Sequence, residues 1–129
     1  MTYVISDIHG NFEKYEDMLE LIHLSDEDGL YVIGDVIDRG PDGIKILKDV
    51  MERPNAHMIL GNHELMALTG EKRDQVVSVL ISLPISMELE VNGQNFHLVH
   101  GFPADGRKDQ VRLACTKLDD MEELYVCLI

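Results

Sequence analysis

A chain of 129 residues, 45% apolar and 27% charged, has room for one folded domain and the composition of a globular one, which excludes intrinsic disorder. A formal net charge of −13, with only 11 scattered Lys and Arg, sets it against nucleic acid, whose backbone needs clustered cations. Two cysteines near the C-terminus are too few for a disulfide framework, and neither a signal peptide nor a membrane span is visible, so a cytoplasmic protein without a membrane partner is expected.

Thr2 to Ser6 is a short apolar, β-branched run that predicts a buried strand, and Asp7-Ile8-His9-Gly10 predicts the loop that follows. Phe12, Tyr15, Met18, Leu19 and Ile22 recur at helical steps, so a helix is predicted over 11–24, with Asn11 as its N-cap. Ser25 to Gly29 reads as a polar turn, and Leu30 to Ile33 as a second strand closed by Gly34-Asp35. Pro41 suits the first turn of the next helix, whose apolar side is Ile44, Ile46, Leu47 and Val50; Arg53-Pro54-Asn55 stops it.

His57 to Leu60 predicts a third strand, ending at Gly61-Asn62-His63, with helical stretches over 64–68 and 73–83. Residues 86–91 and 95–100 flank Asn92-Gly93, the dipeptide of a tight hairpin. The order β-α-β-α-β-α-β-β predicts an α/β fold, with a parallel sheet first and an antiparallel hairpin added later. The end of the chain, Leu124 to Ile129, is an apolar run that fits either a strand or the end of a helix. Left uncovered, such a run would favour self-association, so a homo-oligomer is a further expectation.

Three polar clusters begin at the C-terminal ends of apolar strands and precede helices, the edge at which open α/β sheets bind ligands. A fourth, His100-Gly101, closes a strand. Asp7, His9, Asp35, Asn62 and His100 supply carboxylate, imidazole and amide donors without thiolate, a set suited to Mn, Fe or Zn. Asp35, midway in the set, is the natural bridge between two ions, and a two-ion site can activate water and clamp a phosphoester. Arg39 offers a fork for two phosphate oxygens. His63, next to Asn62, is placed to protonate a leaving oxygen, with Asp38 as its orienting partner.

Any one of these clusters alone reads more simply as a turn, a helix cap or a structural histidine; their joint occurrence does not. His23 and His57 fall outside them. Strand alternation puts His97 on the face opposite His100. The acidic runs 25–29 and 119–123 read as solvated surface, and Cys115 and Cys127 as ordinary apolar side chains.

Ser-Asp-Ile-His-Gly (6–10), Gly-Asp-Val-Ile-Asp-Arg-Gly (34–40) and Gly-Asn-His-Glu (61–64) resemble the three signature motifs of the phosphoprotein phosphatases within the calcineurin-like metallophosphoesterases. Leu83-Pro84 through the hairpin to Val99-His100-Gly101-Phe102-Pro103 is similar to the stretch carrying that family's next metal histidine. The resemblance spans about residues 1–105 of a single domain over 1–129, with 106–129 unassigned. It implies a metallophosphoesterase-type sheet with an added hairpin, and two divalent metal ions. It also implies hydrolysis of phosphate monoesters in the manner of bacterial serine/threonine phosphatases, acting on a phosphorylated protein or a small phosphoester. A symmetrical dinucleoside tetraphosphatase and an inactive, truncated metal- or partner-binding relative are the alternatives. The family's Gly-His-Thr motif is absent and its later phosphate-contacting Arg has no counterpart. The second sheet is therefore expected to be incomplete, and the second ion, held by Asp35, Asn62 and His100 alone, weaker or lost.

Overall fold

The computed structural model describes residues 1–71 and 73–100, together with the backbone of a strand at Leu124–Leu128. In chain order the elements are β1 (Thr2–Ser6), α1 (Phe12–Leu21), β2 (Gly29–Ile33), α2 (Gly43–Glu52), β3 (Ala56–Ile59), α3 (Asn62–Ala67), α4 (Arg73–Leu80), β4 (Ser86–Val91), β5 (Gln94–Val99) and β6 (Leu124–Leu128). β3, β2, β1 and β6 form one sheet in that order, and every pairing in it is parallel. β4 and β5 form a separate antiparallel hairpin around Asn92-Gly93, both with positive φ as a tight turn requires.

Alternation along the strands sorts their side chains into two layers. Tyr3 and Ile5 of β1, Leu30 and Val32 of β2 and Met58 of β3 pack with Tyr15, Met18, Ile46, Leu47 and Val50 of the first two helices. Val4, between Tyr3 and Ile5, faces the other way and packs with Leu89, Val91 and Phe96 of the hairpin. The sheet is thus covered by helices on one face and by the hairpin on the other. The hairpin carries His100, so the small Val4–Phe96 cluster also sets where that histidine stands.

Besides shifts of one to three residues at the ends of elements such as β3, α3, α4 and β5, three details depart from the sequence reading. α1 stops at Leu21 rather than at residue 24, because His23 takes a left-handed φ of 49°. The amide of His23 donates to Glu20 O and that of Leu24 to Leu19 O, the bond pair of a Schellman cap, so His23 is a helix stop. Pro41 does not lie in the first turn of α2. Asp42 is the N-cap and the helix begins at Gly43. The apolar tail, readable as strand or helix, is strand β6, pairing parallel with β1 in the register Val4–Val126. Self-association was inferred from a tail with nowhere to go, and this pairing gives its backbone a partner within the chain. Cys115 and the acidic 119–123 run lie outside the described residues. Among the described residues, no helix is long and apolar enough to cross a membrane.

Candidate active site

The loops after β1, β2 and β3 meet at the carboxyl edge of the sheet, and glycines let them meet closely. A Cβ on Gly34, whose φ is +69°, would stand 2.4 Å from Gly61 N; one on Gly10, also at +69°, would stand 2.6 Å from Gly40 O. Only residues without side chains allow backbone-to-backbone contact of this kind. The first two loops then continue the sheet's ladder beyond its strands: His9 N–H donates to Asp35 O at 2.9 Å and Gly10 N–H to Val36 O at 2.7 Å.

Glu64 ties the second and third loops together. It is completely buried, and its carboxylate accepts from the amides of Asp35 (2.7 Å), Val36 (2.8 Å), Ile37 (3.2 Å) and Gly61 (2.9 Å). A buried carboxylate survives only when its oxygens are satisfied in this way. Sequence reasoning missed this role and treated Glu64 as the last letter of a motif. A signal was present: an acid three residues after Gly61 is the N3 position from which a side chain bonds back to the helix-capping amide.

The loops are also locally strained. Asp7, His9, Asp35, Asp38 and Arg39 all have φ between 49° and 66°, and among the described non-glycine residues only His23 and Asn92 share that region. Each such residue costs about 1–3 kcal/mol, and held strain of this kind clusters at functional sites.

The side chains on this frame converge on one atom. Asp35 Oδ2 lies 3.3 Å from His100 Nε2, 3.8 Å from His9 Nε2 and 3.9 Å from His63 Nε2. Asp35 is buried, and its other oxygen accepts the backbone N–H of His63 at 3.1 Å. Asp7 Oδ1 stands 3.6 Å from His9 Nε2, with Ser6 Oγ donating to Asp7 Oδ2 at 2.6 Å. Asn62 Oδ1 stands 2.9 Å from His100 Nε2.

The far nitrogens fix which atom each ring presents. A carbonyl can only accept, so His100 Nδ1 donates to Ile33 O (2.8 Å) and His9 Nδ1 donates to Ile37 O (3.4 Å). His63 Nδ1 faces Asp38 Oδ2 at 3.3 Å. In the neutral rings of His9 and His100, Nε2 is therefore a lone pair aimed at Asp35. Around His100, three acceptors (Nε2, Asn62 Oδ1 and Asp35 Oδ2) crowd together with no proton among them. With His100 neutral that arrangement is repulsive until a proton on Nε2 or a metal cation joins the three, and backbone carbonyls orienting ligand imidazoles through Nδ1 are the usual support of a metal site.

The donor set therefore fits divalent metal. Ligand atoms about 2.1 Å from a common ion lie roughly 3.0–3.4 Å from one another. The spacings around His100, 2.9 and 3.3 Å, lie close to or within that range, whereas those around His9, 3.6 and 3.8 Å, are wider. His9, Asp35 and His63 form a group whose ligand atoms all lie within 4.8 Å of one another. His63, read from the sequence as an acid rather than a ligand, stands as close to Asp35 as His9 does.

All the residues singled out from the sequence are brought to this edge. Asp7, His9, Asp35, Asn62, His63 and His100 are linked through Asp35, and Asp38 backs His63. Arg39 lines a cleft with Asp7 and His9, and its side chain has no ion pair or hydrogen bond among the described residues. The other histidines stay out: His57 stacks on Tyr31 at 5.0 Å, and His97 pairs with Glu88 across the hairpin.

Comparison with known proteins gives the family. Residues 2–124 match the family model for calcineurin-like phosphoesterases. A symmetrical bis(5'-nucleosyl)-tetraphosphatase of Buchnera aphidicola subsp. Acyrthosiphon pisum (strain 5A) is 33% identical over 96 residues, which are 68% of this chain and 35% of that protein. One of Wigglesworthia glossinidia brevipalpis is 40% identical over 68 residues, 51% of this chain and 25% of that protein. The chain thus spans between a quarter and about a third of the length of these relatives. A solved structure described as a candidate diadenosine tetraphosphatase superposes with a TM-score of 0.58 at 22% identity, covering 79% of this chain and 52% of that one, a likeness of fold.

Proposed function

The chain belongs to the calcineurin-like phosphoesterase family, and on that premise we propose that it hydrolyses the phosphoanhydride chain of dinucleoside polyphosphates with divalent metal ions held around Asp35. The single observation that carries the chemistry is the approach of three imidazole Nε2 atoms to within 3.9 Å of Asp35 Oδ2. The choice of substrate leans on the relatives, named as tetraphosphatases. They favour this reading over the serine/threonine phosphatase that the motifs first suggest.

Asp7, His9 and Asp35 would hold one ion, and Asp35, Asn62 and His100 the other. Ions bound there supply a nucleophile from water at neutral pH and offset the charge of the phosphoryl group. The chain's own residues do the rest. Arg39, with no ion pair or hydrogen bond among the described residues, clamps two non-bridging oxygens of the phosphate. Asp38, at Nδ1, holds the His63 ring so that Nε2 faces the reacting group. As the water oxygen bonds to phosphorus, its proton passing to solvent, the anhydride P–O bond breaks and His63 gives its Nε2 proton to the departing phosphate oxygen. Glu64 touches none of the reacting atoms; it keeps the loop of Asp35 in register with that of Asn62 and His63.

The test compares Mn-dependent turnover of diadenosine tetraphosphate with that of a phosphoserine peptide. The proposal expects the dinucleotide to be split into two equal nucleotides and to be preferred in kcat/KM. Preference for the peptide would restore the protein phosphatase reading. No turnover of either above background would leave a metal-binding relative without this activity.

A further inference from the structure

Next to the ligand cluster lies an open cleft of about 540 Å³, within the range of small-molecule sites. Its walls are Asp7 and His9, the start of α1 and the stretch from Arg39 to Asp42. Asn62, His63 and His100 do not line it. The His9 ring lines the cleft and meets the His63 ring edge to face, with centroids 4.9 Å apart. A group in the cleft therefore reaches the reacting phosphorus on the flank away from the proton donor. The group that leaves sits at His63. The group in the cleft is the one that stays on phosphorus.

A phosphate monoester carries no second organic substituent on its phosphorus, and for it this cleft would be empty space. An internal phosphorus of a polyphosphate carries one: the retained nucleotide. The lining suits such a group in three ways. Lys14 and Arg39 supply cations whose side chains have no ion pair or hydrogen bond among the described residues. Phe12 and Pro41 supply apolar surface, with Lys45 Nζ 3.2 Å from the Phe12 ring centroid. Glu13 and Asp42 offset the two cations, and Asp7 adds a third acid on the metal side, so the cleft has no excess positive charge to gather bare phosphate. Their carboxylates can instead accept from ribose hydroxyls, as acidic residues do in nucleotide sites.

We infer that this cleft is a second substrate subsite, which binds the nucleotide half kept on the attacked phosphorus, with Lys14 on its phosphate and Phe12 and Pro41 against its sugar and base. The inference rests on the hydrolase reading above, because it assigns the leaving side to His63. It is tested by binding rather than by turnover. Calorimetric titration of the Mn-loaded full chain with ADP and with inorganic phosphate is compared between wild type and Lys14→Ala, an exposed change whose fold is checked by circular dichroism. ADP is expected to bind at least about tenfold more tightly than phosphate, and Lys14→Ala to weaken ADP about tenfold while leaving phosphate unchanged. Equal binding of ADP and phosphate by wild type would overturn the subsite, as would a Lys14→Ala chain that holds ADP normally or loses both ligands alike. Failure of the wild type to hydrolyse diadenosine tetraphosphate while these binding differences stand would instead refute the hydrolase reading.

Discussion

The two halves of the ligand set around Asp35 are built differently. On the Asp7–His9 side the donors are 3.6 and 3.8 Å apart, the Asp7 side chain is half exposed, and the histidine's supporting bond to Ile37 O is a long 3.4 Å. On the Asn62–His100 side the donors are 2.9 and 3.3 Å apart and the supporting bond to Ile33 O is 2.8 Å. The first half has two carboxylates and loose spacing; the second has one carboxylate and tight spacing. Affinity for a hard cation follows both charge count and rigidity, so the halves trade one against the other. The sequence alone shows one imidazole missing from the second half, and on that ground the second ion is expected to be the weaker. The structure adds the compensating term, a better gathered second half.

Substitutions that load the two halves unequally sharpen this contrast. The largest effect is expected at His63, which flanks both. His63→Asn should cut turnover of an alkyl phosphomonoester about 10²–10⁴-fold, because an alkoxide cannot leave without a proton. The loss on diadenosine tetraphosphate should be smaller, since its leaving oxygen belongs to a phosphate and is weakly basic. Equal losses on both substrates would mean that His63 serves as a metal ligand, as its place beside His9 and Asp35 allows.

Phe96→Ala probes the second half from a distance. Phe96 is buried in the small cluster beneath the hairpin, so its truncation should cost about 3–5 kcal/mol, read by denaturant unfolding. It should also weaken Mn binding on the His100 side while sparing that on the Asp7 side. If both ions weaken equally, the hairpin is not what positions His100.

Glu64→Gln should act on both halves at once. Its amide NH₂ would face backbone N–H groups that need acceptors, costing about 1–3 kcal/mol. Both Mn affinities should fall together, and Glu64→Asp, which keeps the charge but shortens the reach, should recover part of each. An unchanged Mn titration would reduce Glu64 to a fold residue.

What could be read from the sequence was whatever depends on periodicity and on residue type in a motif. The parallel β-α-β-α-β run, the Asn92-Gly93 hairpin and the meeting of Asp7, His9, Asp35, Asn62 and His100 at one edge are of that kind. What could not be read depends on long-range geometry. His23 ends α1 through its left-handed backbone, and the modest enrichment of histidine there is too weak to set it against a further helical turn. Pro41 fits a helix's first turn by statistics, yet Asp42 is the N-cap, its amide bonded to Gly10 O across the loops. Glu64 reads only as the last letter of its motif because its partners, Asp35 to Ile37, lie more than 25 positions earlier in the chain. The apolar tail fits a strand or a helix equally until β1 is seen to offer it an edge.

The account stands on Asp35 as the shared ligand, and counting bound Mn per chain by equilibrium dialysis tests that most directly. Wild type is expected to bind two ions in separate steps, Asp7→Ala and His100→Ala one each with different remaining affinities, and Asp35→Asn none. An Asp35→Asn chain that keeps a tightly bound ion, or Asp7→Ala and His100→Ala chains that lose the same ion, would contradict it.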